Sequence, residues 1–132
     1  MSKELFWLTL TAVMTLVMWI PYVIDRAMVR GVWATLDNPD PKAKPQSPWA
    51  QRLYFAHTNS VDNLAVFAAL VLTLAVLERA TMATAIACAV YFWSRLAYTI
   101  IYAIGLPVLR TLAFTVGFLA QLALVLAIFG KL

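Results

Sequence analysis

Apolar residues fall along the chain in four long runs separated by polar breaks. The first runs from about Leu5 to Ile24 and stops at Asp25 and Arg26. The second runs from about Trp49 to Leu77, its apolar stretch opening only after Asn63; the third covers about Ala80 to Ile104, and the fourth about Pro107 to Phe129. Each reaches the roughly 20 residues a helix needs to cross a hydrocarbon core of about 30 Å. Lipid offers no partner for a free backbone group, so each run is expected to be helical. None alternates polar and apolar residues at period two, which argues against a barrel. The pattern predicts an all-α integral membrane four-helix bundle, up-down-up-down, as one domain over residues 1–132.

The connections differ in kind. The first, about 27–48, holds Pro39, Pro41, Pro45 and Pro48, a density that favours extended loop over helix. The second is little more than Glu78 and Arg79, and the third is Gly105, Leu106 and Pro107. Glycine suits a helix end and proline a helix's first turn. Such short links imply antiparallel neighbours. Pro21 lies near the end of the first run, where it is expected to kink the helix.

Composition removes the soluble alternative. Apolar residues make up 64% of the 132 and charged residues 12%, against about 25% charged in an ordinary soluble domain. A chain this short cannot hide that apolar area in one water-soluble core. The net charge of +4 comes from basic residues placed between the apolar runs, so it reads as membrane topology and gives no reason to expect nucleic acid. Cys88 is the only cysteine, which rules out an intrachain disulfide. His57 is the only histidine and carries no metal-ligand pattern. The first run reads as a span, since no small-residue cleavage pattern ends it.

Basic residues also orient the bundle. Arg26, Arg30, Lys42, Lys44, Arg52 and Arg110 flank the first and third connections; Lys3, Arg79 and Lys131 lie on the other side. The proline-rich loop is therefore expected in the cytoplasm and both termini outside, with Trp19, Tyr22, Trp33, Trp49 and Tyr54 in the interfacial belt.

The remaining signal is polar residues where lipid would not accept them. Asn59, Asp62 and Asn63 recur at steps of three and four in the second run, as do Arg95, Tyr98 and Tyr102 in the third. Each set shares a helix face. Arg110 and Thr111 fall in the first turn of the fourth. All lie toward the loop-proximal ends. Such residues at membrane depth usually mark function, though an Asp62–Arg95 pair would also serve merely to fix helix register, and Asn59, Asn63 and Gln121 to glue helices. Taken together, two arginines beside a helix N-terminus suit a small anion, and Asp62 with the asparagines suits ammonium or amide groups. That combination fits a zwitterionic, peptide-like ligand.

At these residues a family resemblance appears. Ala56-His57-Thr58-Asn59-Ser60-Val61-Asp62-Asn63 resembles the second-helix signature of the MAPEG family, the membrane-associated proteins of eicosanoid and glutathione metabolism. The stretch from Arg95 through Tyr98, Tyr102, Gly105 and Pro107 to Arg110-Thr111 resembles its third-helix and loop signature, and Arg30 with Asn38-Pro39 the end of its first helix. The resemblance implies a homotrimer, with glutathione as co-substrate held between subunits and a lipophilic substrate arriving from the membrane lipids. It implies glutathione contacts from Arg30, Asn59, Asp62, Arg95, Tyr98 and Tyr102, and catalytic roles for Arg110, Thr111 and Tyr102. Phe55 and Thr58 stand where glutathione-using members tend to carry arginines, Asp62 where glutamate is usual, and Phe114 where some carry tyrosine. The set is similar to a bacterial branch, which would place the protein in an inner membrane.

The expected activity is a membrane-bound glutathione-dependent transferase or peroxidase acting on lipophilic electrophiles or hydroperoxides. The alternative is a non-enzymatic member binding a lipid or another small anionic metabolite. A transporter finds little support, because paired broken helices are missing.

Overall fold

Ser2 opens the first helix by accepting the Leu5 amide on its hydroxyl at 3.2 Å. The computed structural model describes all residues 1–132 and contains helices and no strand. In chain order these are α1 (Lys3–Val17), α2 (Trp19–Arg30), α3 (Val32–Leu36), α4 (Pro48–Val76), α5 (Met82–Ile104) and α6 (Pro107–Ile128). The first two form one bent span, so four helical spans are long and apolar enough to cross a membrane: Lys3–Arg30, Pro48–Val76, Met82–Ile104 and Pro107–Ile128. The all-α four-helix architecture expected from the hydrophobic runs is the one observed.

The bend sits at Met18, between α1 and α2, and its cause is Pro21. Proline has no N–H to give the carbonyl four residues back, which is that of Val17, the last residue of α1. The helix resumes at once and runs past Ile24, the expected end of the span, to Arg30. There Gly31, at φ 87°, turns the chain into α3.

Several threonines inside the spans are satisfied by their own helix. Thr11 and Thr15 donate to the carbonyls of Trp7 and Thr11 at 2.8 and 2.9 Å, so their hydroxyls cost little among apolar neighbours. Thr81 and Thr84 form a reciprocal capping box at the start of α5, and the buried Glu4 carboxylate accepts the Thr84 hydroxyl at 2.6 Å.

Two apolar cores divide the bundle. The one nearer the chain termini is built around Phe67 and Tyr91, stacked at 3.9 Å, with Val71, Leu74 and Leu124. The loop-proximal one joins Met18, Tyr22, Ala50, Leu53, Ala56 and Tyr98. Helices α5 and α6 approach closely at Gly117, where an added Cβ would lie 2.9 Å from Ser94 Oγ. Large apolar residues such as Leu16, Val76 and Val108 stay exposed on the outside, as lipid contact requires.

The interfacial belt needs one correction. Trp19, Trp33, Trp49 and Tyr54 are exposed, but Tyr22 is buried. Its hydroxyl meets His57 Nδ1 at 2.8 Å, and its ring meets Tyr54 edge-on at 5.6 Å. A tertiary partner on α4, invisible to the charge pattern, draws it inward.

Candidate functional site: a ladder of arginines and tyrosines at the loop end

Arg95 is the largest fully buried side chain, at 2% exposure, and it organises this end of the bundle. One Nη donates to Asn59 Oδ1 at 2.7 Å and to Ser60 Oγ at 2.9 Å, tying α5 to α4. Its guanidinium lies 4.2 Å over the Tyr98 ring. Its Nε is buried without a partner. Asn63 donates to the Asn59 carbonyl at 2.9 Å and to Oδ1 at 3.3 Å, so that oxygen serves two donors and the orientation of Asn59 is fixed.

The pattern continues toward the helix end. Tyr98 and Tyr102 meet edge-on at 5.6 Å, and the Arg110 guanidinium lies 4.2 Å over the Tyr102 ring. Phe114 approaches Tyr98 at 6.1 Å. The order along the ladder is therefore cation, ring, ring, cation. The rings hold the cations by quadrupole attraction without neutralising them. Arg95 is sealed in, whereas Tyr102 and Arg110 are half-buried and reach the surface.

What places Arg110 there is the turn between α5 and α6. Gly105 adopts the left-handed conformation at φ 97° and ψ 34°, and Pro107 opens α6 directly. Arg52, from α4, donates through Nε to the Ala103 carbonyl at 3.0 Å, capping an otherwise orphaned acceptor at the end of α5. Sequence reasoning counts Arg52 only among the basic residues that orient the bundle; its backbone partner lies 51 positions away.

Other expected site residues stand apart. Asp62 is exposed, and the side-chain hydrogen bonds of Arg95 go to Asn59 and Ser60, so an Asp62–Arg95 register pair does not form. One helical step separates the causes: Ser60 faces the buried interior, and Asp62, two residues on, turns outward. Thr111 is exposed and donates back to the Pro107 carbonyl at 3.1 Å. Arg30 donates to the Lys44 carbonyl at 2.6 Å and lines, with Arg26, Asp37, Asn38 and Tyr54, a pocket of about 500 Å³ among the loop residues. Gln121 Nε2 is buried in α6 without a partner inside the protomer.

The loop itself is latched. The buried Asp25 carboxylate accepts the Ser47 amide at 3.1 Å and Gln46 Nε2 at 3.2 Å, while Gln46 Oε1 accepts Arg26 Nε at 3.0 Å.

Comparison with known proteins gives one positive finding. The family model described as MAPEG family matches residues 5–130, which takes in all four spans and every rung of the ladder. No curated protein and no solved structure matches the chain.

Proposed function

The chain belongs to the MAPEG family, and from that premise we propose that it is a membrane-bound glutathione-dependent transferase or peroxidase acting on lipophilic electrophiles or hydroperoxides. It is an integral, multi-pass membrane protein of the family concerned with eicosanoid and glutathione metabolism. The observation that carries the proposal is the half-buried Arg110 guanidinium held 4.2 Å over Tyr102 at the surface end of the ladder.

The chemistry follows from that cation. A free thiol has a pKa near about 8.5, and an adjacent positive charge lowers it. Arg110 would stabilise the glutathione thiolate, and the Tyr102 hydroxyl would orient it. With an electrophile, the sulfur forms the new bond to carbon as the leaving group departs with its electron pair. With a hydroperoxide, the thiolate attacks the distal oxygen, the O–O bond breaks to release the alcohol, and a second glutathione reduces the sulfenic acid, giving disulfide and water. Asn59 and Asp62 would take the peptide's amide and ammonium groups, and Arg30 a carboxylate. Asp62 is exposed on a membrane-spanning helix. Exposure there is costly in lipid, which supports a homotrimer with the site between copies. The basic residues flanking the first and third connections support a loop on the cytoplasmic side, and the resemblance to a bacterial branch an inner membrane.

One observation favours a second reading, a non-enzymatic member that binds another anionic metabolite. Phe55 is exposed without a polar group, and the Thr58 hydroxyl donates to the Tyr54 carbonyl at 3.2 Å, so neither position supplies a cation. Titrating glutathione into detergent-purified protein separates the two. Growth of ultraviolet thiolate absorbance, with turnover of an activated aryl halide or an organic hydroperoxide, is the expected result. Protein that shows neither, and gains no thermal stability where saturation at about 100 Kd would add roughly 2.7 kcal/mol, is not a glutathione enzyme.

A further inference from the structure

The bend at Met18 uncovers part of the bundle. Helix α1 packs on both α4 and α5, whereas α2, beyond the bend, packs on α4 and α3. Trp7 of α1 meets Phe92 of α5 at 5.5 Å. Thr99 and Ala103 follow Phe92 at helical steps of seven and four, on the same face. Past the bend that face has no α1 to cover it, and a groove of about 470 Å³ opens between α4 and α5.

Trp49, Arg52, Leu53, Thr99, Ile100 and Ile104 line this groove. Arg52 is its one charged residue. It sits four residues into α4, about 6 Å from the first residue of the helix at 1.5 Å per residue. Its Nε is anchored on the Ala103 carbonyl at 3.0 Å, so the guanidinium is held in place rather than free to swing into water. Trp49, exposed at the mouth, suits an interfacial level. Apart from Arg52 the walls are apolar except at Thr99, whose hydroxyl is turned to the Arg95 carbonyl at 2.9 Å.

The groove opens on the outside of a membrane-spanning protomer, and its single cation selects the sign of the occupant. We infer that this groove binds an anionic phospholipid, with the phosphate on Arg52 and one acyl chain lying along Leu53 and Ile100. Arg95 and Arg110 do not line it, so it is distinct from the glutathione site proposed above and does not depend on that reading.

The test uses full-length protein in mild detergent, phosphatidylglycerol and phosphatidylcholine with identical chains, and lipid retention read by native mass spectrometry. Wild-type protein is expected to retain phosphatidylglycerol at least tenfold better. Arg52→Gln is expected to lose that preference. Because this change also removes the bond to Ala103, Ile100→Trp serves as the second variant. It fills the groove from a half-exposed position, leaves Arg52 in place, and is expected to lose phosphatidylglycerol as well. Equal retention of the two lipids by wild type, or full retention of phosphatidylglycerol by either variant, would overturn the inference. So would displacement by millimolar glycerol phosphate, which would show that Arg52 takes a free anion and not a lipid.

Discussion

The Arg110 guanidinium lies 4.2 Å from the centre of the Tyr102 ring, across the turn that joins α5 to α6. The two residues belong to different helices, which pack on each other and are joined by a turn that Arg52 underlies. If Arg110 stabilises a thiolate, its charge must be held without being cancelled, and an aromatic face does this where a carboxylate would not.

Replacing Arg110 with Leu should therefore reduce thiolate formation far more than stability. One or two factors of ten in rate, at about 1.4 kcal/mol each, are expected to be lost. Tyr102→Leu removes the ring that holds the cation, a contact of about 0.5–2 kcal/mol, and should cost about two- to thirtyfold in rate. Tyr102→Phe keeps the ring and should keep the thiolate. Absorbance titrations with glutathione check all three; an unchanged thiolate signal in Arg110→Leu would remove that residue from the mechanism.

Arg95 is expected to behave in the opposite way. It is buried, and its two bonds tie α5 to Asn59 and Ser60. Hydrogen bonds to a charged group contribute about 1.5–3 kcal/mol. Asn59→Ala should lower stability by about that amount, because a buried guanidinium loses an acceptor. Asn59→Asp returns an acceptor and should recover much of it. Thermal unfolding in detergent reads both changes.

The contact between α5 and α6 gives a third test. A Cβ at Gly117 would stand 2.9 Å from Ser94 Oγ. Gly117→Ala should separate the helices and cost about 1–3 kcal/mol, as overpacking does. Ser94→Ala removes the obstructing oxygen, so the double variant should be more stable than Gly117→Ala alone. A double variant no better than the single one would place the strain elsewhere.

These residues also show what could be read from the sequence. The spans were legible because lipid imposes length and apolarity on any helix that crosses it. Asn59, Arg95, Tyr98 and Tyr102 were legible as faces, because steps of three and four place polar groups together on a helix. Asp62 shows the limit of that reasoning: its step pattern put it with Asn59, but a helix face is broad, and Asp62 falls on the exposed side of it. Tyr22 was assigned to the interface by residue type, whereas His57 holds it inside. Pro21 marked a kink, and the break appears earlier, at Met18, because the missing bond belongs to the Val17 carbonyl. Arg52 was missed as a helix cap because its acceptor is a backbone oxygen, which leaves no trace in side-chain chemistry.

That cap supports the last prediction. Gly105 sits at φ 97°, where an added Cβ would lie 3.2 Å from Arg52 Nε and Cζ. Two separate costs attend Gly105→Ala. The left-handed backbone costs about 1–2 kcal/mol in any residue with a Cβ, and the contact with Arg52 adds to it. Arg52→Ala removes the contact but forfeits the bond to the Ala103 carbonyl, about 0.5–1.5 kcal/mol. Since the two changes share one cause of strain, the double variant should lose less stability than the sum of the singles. Gly105→Asn sharpens the comparison, because asparagine tolerates the left-handed region yet still carries a Cβ. It should fall between glycine and alanine while Arg52 is present, and closer to glycine once Arg52 is alanine. Unfolding of this variant set in mixed micelles gives the coupling directly. Strict additivity would mean that Arg52 does not bear on the turn, and that α6 and its Arg110 are positioned by something other than α4.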